Sequence, residues 1–422
     1  MSEWKEYKLG DVASVQTGPF GSQLHQKDYV IAGTPIITVE HLGDNRITYQ
    51  NLPKVSDEDK QRLKKYHLQE GDVVFSRVGS VDRRALVTKK EDGWLFSGRC
   101  LRVRGNDKKA IGAFLSYYFG QESFKEYVRR IAVGATMPSI NTTILSEIVI
   151  KIPDLPTQTA IAEILSSLDD KIELNNKINQ ELETLAQTLF KQWFIDFEFP
   201  NENGEPYKSS GGEMVDSELG EIPKGWEVKT LDDILTVKGG TTPSTKESIY
   251  WDGDIYWTSP RDLSNLKSPL LLDTEKKITP LGLKKISSGL LPKGTLLLSS
   301  RAPIGYLAIT DIETAINQGY IAINGKNGFS NLFILCWLKS NMNSVIERAN
   351  GSTFLEISKS NFKQIKIVIP SVESQNNFTN QFELMFEQIR VNTIEINELT
   401  NLRDTLLPKL ISGELEINEI SN

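Results

Sequence analysis

The chain has 422 residues, of which 39% are hydrophobic and 24% charged, with a formal net charge of −7 and two cysteines. That length can fill two sizeable cores. The absence of an N-terminal apolar h-region, and of any run of about 18 apolar residues, argues against a signal peptide or a membrane span, and two cysteines without a disulfide framework make a reducing cytoplasm the simpler expectation.

In chain order, residues 1–153 form a first globular stretch. Short β-like runs at 12–15, 35–39, 72–75 and 148–152, punctuated by Gly and Pro turns, predict strands. One amphipathic helix is expected over 111–131. After Pro153 the apolar period changes to 3.5, with Leu165, Leu168, Ile172, Leu182 and Leu189 at a and d positions and Asn175, Asn179 and Ala186 completing the seam. A helix of roughly 36 residues here would be about 54 Å long. Residues 154–199 are thus read as a long helix, and residues 200–221, with Gly-Glu-Pro and Ser-Ser-Gly-Gly, as an exposed linker.

The pattern then repeats. Residues 222–370 form a second globular stretch, with strands expected at 255–258, 295–298 and 365–369 and a helix over 331–349. Residues 371–413 form a second heptad helix, with Phe382, Met385, Ile389, Asn392, Ile396, Leu399, Arg403 and Leu406 on its seam, and 414–422 an acidic tail. Ile148-Val149-Ile150-Lys151-Ile152-Pro153 reappears 217 positions later as Ile365-Lys366-Ile367-Val368-Ile369-Pro370. Trp4, Leu9, Asp11, Val15 and Gly18 recur 222 positions later as Trp226, Leu231, Asp233, Val237 and Gly240. A period of this length is a duplicated domain rather than a solenoid repeat. The fold class is α+β: two pseudo-repeated globular domains joined by two long helices forming an antiparallel coiled coil. A narrow apolar stripe on a helix this long needs a partner, and the duplicate helix is the nearest; pairing with other subunits is the alternative. Asn175 and Asn392 suit a register-setting role in that seam, or a locally imperfect seam facing solvent.

Charge is distributed unevenly. The two globular stretches each carry a net +5, whereas 154–222 and 371–422 carry −11 and −6. Binding to a polyanion follows the local field, so the globular copies suit nucleic acid and the acidic helices suit protein.

Catalytic signatures are missing. No phosphate-binding loop, dinucleotide fingerprint, nucleophile elbow or zincin motif occurs, and no Asn-Pro-Pro-Tyr or Asp-Pro-Pro-Tyr is present. Pro153-Asp154 followed by Asp169-Asp170-Lys171 mimics a nuclease pattern, but the second part falls in the heptad helix and the second copy lacks it. His25, His41 and His67 have no ligand spacing, so no metal is expected. Cys100 falls near Tyr320 of the other copy and Cys336 opposite Tyr117, so no disulfide framework is indicated.

The candidate nucleic-acid contacts are loops after strands. Thr17, Gly18, Phe20 and Ser22 follow the first strand, and Thr241, Thr242 and Ser244 stand in the second copy. Small and glycine residues allow close backbone approach to phosphates, or make an ordinary tight turn. Ser76-Arg77 answers Ser300-Arg301; an Arg ending a buried strand can fork onto guanine O6 and N7, or form a surface ion pair. Arg83, Arg84 and Arg99 have no basic counterparts, and Tyr306 and Gln318 stand near their places. The turns at Thr136 and Thr353 follow each domain helix and either bind phosphate or cap the next element.

Leu155-Pro156-x-Gln158, Trp193-Phe194-Ile195-Asp196-Phe197, Leu219-Gly220-Glu221-Ile222-Pro223-x-Gly225-Trp226 and Leu406-Leu407-Pro408-Lys409-Leu410-Ile411-Ser412-Gly413-Glu414-Leu415, with the duplication, carry a resemblance over essentially the whole chain. It resembles the specificity subunit of type I restriction–modification systems. A departure is Thr188-Leu189-Phe190-Lys191-Gln192-Trp193 where the second copy has Leu406-Leu407-Pro408-Lys409-Leu410.

The resemblance implies a non-catalytic reader of double-stranded DNA. Residues 1–153 and 222–370 would be target recognition domains, each reading half of a split asymmetric site, with the helices setting the unread spacer. It also implies two modification subunits that bind S-adenosylmethionine and methylate adenine, docked on the helices where Trp193, Phe194 and Phe197 suit protein contact. Restriction subunits using ATP and Mg2+ would cleave, and no cofactor would sit in this chain. A tandem coiled-coil scaffold that recruits partners without reading DNA is the alternative; a neighbouring adenine-methylation operon would distinguish them.

Overall fold

The computed structural model describes residues 4–21, 23–351 and 355–417. Ser22 and Thr353 lie outside the described residues. The chain divides into two compact units, Met1–Lys171 with Leu399–Asn422, and Ile172–Glu398.

In chain order the first unit contains β1 (Lys5–Lys8), β2 (Ala13–Thr17), β3 (Thr34–Ile37), β4 (Val73–Ser76), β5 (Arg84–Leu86), β6 (Leu95–Phe96), β7 (Cys100–Gly105), α1 (Gly112–Gly120), α2 (Glu122–Ile131), β8 (Val149–Ile152) and the start of α3 (Leu155–Phe194). The second continues α3 and adds β9 (Met214–Ser217), β10 (Gly220–Pro223), β11 (Glu227–Thr230), β12 (Leu235–Lys238), β13 (Trp251–Thr258), β14 (Leu270–Leu271), β15 (Lys276–Ile278), β16 (Leu296–Ser300), β17 (Ile304–Thr310), β18 (Thr314–Ile316), β19 (Tyr320–Gly325), α4 (Asn331–Glu347), β20 (Lys366–Ile369) and most of α5 (Val372–Ser412).

The duplication is explicit in the strand pairing. In the first unit β1 pairs antiparallel with β8, and a sheet runs in the order β2–β7–β4–β5. In the second, β11 pairs antiparallel with β20, and the sheet runs β12–β19–β16–β17–β14. Each unit also has a parallel contact of the same kind, Ile36 with Leu95 and Tyr256 with Thr314. Val-Val-Phe in β4 and Leu-Leu-Leu in β16 are buried throughout, as expected for apolar, partly β-branched and aromatic runs in mid-sheet positions.

Both expected domain helices are interrupted. The first is α1 and α2, separated at Gln121, whose backbone is extended (φ −62°, ψ 140°). Gly120 ends α1 against the Arg84 guanidinium, where an added Cβ would come within 2.1 Å of Nη2. In α4, Asn341 departs from helical geometry, and its Nδ2 donates to the Trp337 carbonyl at 2.9 Å. The expected linker is also folded in part. β9 and β10 form an antiparallel hairpin, and Phe199 stacks on Tyr207 and Trp226 with ring centroids 4.6 and 4.9 Å away.

Within each unit the long helices run antiparallel. In the second, Asn175 donates to Glu395 at 2.7 Å, Asn392 donates to Asn179 at 2.9 Å, and Phe190 lies 5.5 Å from Phe378. Asn392 thus pairs with Asn179, both buried, and Asn175 finds a carboxylate. In the first unit Asp169 accepts from Arg403 at 2.7 Å, while Ile161, Leu165, Leu410 and Ile411 share one core with Phe114 and Ile150.

Trp193 and Phe194, expected to dock other subunits, are instead buried in the second unit's core at 7% exposure each. Phe194 lies 5.1 Å from both Phe333 and Phe378, and Phe197 is half-buried with its ring 5.7 Å from Trp226. These rings fasten α3 to its own unit, because burying aromatic area is worth more inside than at a wet surface.

Candidate nucleic-acid interface

The sheet topology brings several of the described candidate loops of each copy to one edge. In the order β2–β7–β4–β5, the C-termini of β2 and β4 and the N-termini of β7 and β5 lie side by side: Thr17 faces Leu101, Ser76 faces Cys100 and Phe75 faces Arg84. The loops at 18–20, 77–83 and 97–99 therefore emerge together. The second unit repeats this, with Ser299 facing Tyr320 and Ser300 facing Ile304, so that 239–242, 301–306 and 317–319 share an edge.

Close backbone contact holds these loops. A Cβ at Gly18 would come 2.2 Å from the Ser97 carbonyl oxygen, and one at Gly240 would come 1.8 Å from that of Ile316. Glycine is needed there for packing of loop on loop. Described residues after the domain helices border the same edges. Gly79 N donates to Pro138 O at 2.9 Å, and Val78 bridges to Ser139 as Arg301 does to Glu356. Gly134 and Gly351 both have positive φ, 111° and 114°.

Backbone hydrogen bonds revise one correspondence. Arg77 N donates to Arg99 O and Ser300 N to Gly319 O, each at 2.8 Å. Ile140 N and Ile357 N return to Arg77 O and Ser300 O, each at 3.0 Å. Arg77 thus corresponds to Ser300, and Arg301 to Val78, a shift the sequence alone did not reveal.

The side chains divide into exposed and internal groups. In the first unit Phe20 is 52% exposed, with the Arg77 guanidinium 5.5 Å from its ring centroid and Arg77 Nη1 donating to Gly98 O at 3.1 Å. Arg83, Arg99 and Thr136 are exposed, although Arg83 also donates to Leu42 O.

Arg84 is not at this surface. It is 5% exposed, donates to Ser116 O at 2.8 Å and pairs with Asp44 at 3.5 Å; burial pushes its pKa down. Ser76 is fully buried with its hydroxyl on Val78 O, and Thr17 Oγ1 is buried without a partner, so neither offers a surface donor.

In the second unit Ser300 is buried and the Thr241 hydroxyl donates to Lys285 O at 2.7 Å. Thr242 donates to the exposed Gln318 at 2.7 Å, Ser244 is exposed and Tyr306 half-buried. Arg301 Nη1 lies 3.6 Å from Glu356. Two residues missed in the sequence belong here: Glu356, and Lys359, whose Nζ would lie 3.0 Å from a Cβ at Gly239. Both follow the Gly351 turn, the only cue the sequence offered.

Replacing Arg77 with Ala is expected to weaken DNA binding by about 1–3 kcal/mol with relaxed discrimination at one base pair. Arg84→Met should instead lower the melting temperature and leave the recognised bases unchanged. Binding titrations against single-base variants, paired with thermal unfolding, separate the two outcomes.

The nuclease-like residues have structural duties. Hydrogen bonding from the Thr157 side chain, and from Thr157 N at 3.1 Å, holds the Asp154 pKa below the usual carboxylate range, and Asp169 pairs with Arg403. Both cysteines are buried and free, and burial pushes the Cys100 thiol up to about 12. Among the described residues no group of three or more His, Cys, Asp or Glu is placed to hold a metal ion, and no helix is long and apolar enough to cross a membrane.

A family model for the type I restriction modification DNA specificity domain matches the chain twice, over residues 1–184 and 223–401. The chain is 27% identical, over 98% of its length and all of the relative's, to the HindI specificity subunit of Haemophilus influenzae. It is 30% identical to the MjaIX specificity subunit of Methanocaldococcus jannaschii, over 74% of this chain and 70% of that one. The crystal structure of the S subunit from M. genitalium aligns with a TM-score of 0.64 at 17% identity, covering 97% of this chain and 96% of that one, and shows the same fold. With both globular copies matched as DNA specificity domains, the scaffold alternative is not favoured, and the chain belongs to the family of type I restriction–modification specificity subunits.

Proposed function

We propose that each copy reads one half of a split, asymmetric site in double-stranded DNA through the sheet edge described above. The paired helices fix the length of the unread spacer and dock two modification subunits. Those subunits bind S-adenosylmethionine and methylate adenine; restriction subunits use ATP and Mg2+ to translocate and cleave DNA. This chain supplies recognition without catalysis and works in the cytoplasm.

One observation carries the reading. Equivalent positions on one conserved scaffold bear different chemistry in the two copies: Arg77 and Arg99 in the first correspond to Ser300 and Gly319 in the second. Base edges are distinguished by donors and acceptors presented in the groove, so two edges with unlike donors read unlike sequences. Methylation profiling of DNA from a host expressing this chain with its modification subunits is expected to show one motif of two unlike halves separated by a fixed gap. A single continuous motif, or modification without sequence preference, would refute the proposal.

A further inference from the structure

Gln158 and Gln375 stand at the same offset in the two copies, four residues into α3 and α5. Gln158 is fully buried. Its Oε1 accepts from Ile111 N at 3.0 Å, and its Nε2 donates to Lys109 O at 2.9 Å and Pro153 O at 2.8 Å. One side chain thus ties the helix to the end of β8 and to the loop before α1. Gln375 is 5% exposed, and its Nε2 donates to Gly328 O at 2.8 Å, in the loop before α4.

The gripped loops are themselves pressed onto the reading sheets. A Cβ at Gly105 would come 2.3 Å from Ala110 O, and one at Gly325 would come 1.8 Å from Phe329 O. These glycines end β7 and β19. The opposite ends of the same two strands adjoin Arg99 and Gly319, at the candidate edge. A mechanical chain therefore runs in each unit from helix to glutamine to loop, and along one strand to the reading loops. A six-residue strand fixed in a sheet transmits such a displacement as a rigid element.

We propose that Gln158 and Gln375 are positioning residues that lock each recognition sheet to its long helix, so that the complex accepts a single spacer length. This rests on the reading of two half-sites given above. In water the three bonds of Gln158 would be worth little, but buried carbonyl and N–H groups left unpaired are costly, which holds the joint in one geometry.

The test uses the full chain assembled with its modification subunits, carrying Gln158→Met or Gln375→Met, which keep an unbranched side chain and remove its hydrogen bonds. Duplexes carry both half-sites, as defined by methylation profiling, at the native spacing and at one base pair more or less. The readout is the ratio of methylation rate at altered spacing to that at native spacing, alongside thermal unfolding. Since a displacement of about 1 Å in a positioned reaction costs on the order of a hundredfold, loosening the joint should raise that ratio about tenfold. The effect is expected to be larger for Gln158, and both half-sites should remain essential. The ratio is independent of how much folded protein is present, so a variant that loses stability but keeps the wild-type ratio overturns the proposal. If the wild-type complex methylates without a two-part site, the half-site reading itself fails.

Discussion

Arg403→Met is expected to destabilise the first unit by about 3–5 kcal/mol, the cost of leaving a buried carboxylate without its charged partner. Asp169 is 7% exposed and the Arg403 side chain 17%. The carboxylate accepts from Arg403 Nη1 at 2.7 Å, from Tyr117 Oη at 2.7 Å and from Asn45 Nδ2 at 3.3 Å. Burial alone would lower the Arg403 pKa, but its hydrogen bonds and attraction to Asp169 and Asp404 outweigh that and hold it raised. The same burial, with Asp169 beside it, drives the Tyr117 pKa upward.

Removing the guanidinium leaves two neutral donors around a desolvated charge. The corresponding seam positions of the other copy are Phe386 and Ala186, both buried, so an apolar solution exists for this architecture. The double variant Asp169→Leu, Arg403→Met is therefore expected to recover most of the loss, since replacing both members of a buried pair is often near neutral. Denaturant unfolding of the single and double variants checks this. A single-variant loss under about 1 kcal/mol would place the pair with weak, exposed ion pairs instead.

The elements legible in the sequence are those set by repetition and period. Pro153 and Pro370 end matched strands, found at Val149–Ile152 and Lys366–Ile369. The 3.5-residue period marked the helices because every seam position carries a similar burial demand: Leu165, Asn175, Asn179 and Ala186 are buried, and Leu168, Ile172, Leu182 and Leu189 half-buried.

What escaped depends on contacts remote in sequence. Nothing local marks Gly120 as the point where Arg84 crosses α1, or separates Arg84 from its exposed neighbour Arg83. Trp193 and Phe194 read as docking residues because aromatic side chains serve interfaces and interiors alike. The partner that decides between them, Phe378, lies 184 residues beyond Phe194. The one-position offset between Arg77 and Arg301 needed backbone hydrogen bonds, since the intervening loops differ in length. Loop composition located the candidate edge only approximately; strand order, which brings four strand ends together, shows which loops share it.

Two copies of one scaffold are proposed to read two independent half-sites. With base discrimination proposed to lie in one edge per copy, the expected effect of a domain exchange is all-or-none. Residues 1–150 are exchanged for those of another family member, keeping Gln158, Ile161 and Leu165, which hold the helix to the domain. DNA methylated by the resulting complex is then sequenced. One half of the motif is expected to change to that of the donor, while the other half and the gap between them stay as in the parent. Alteration of both halves, or of neither, would refute independent reading by the two copies.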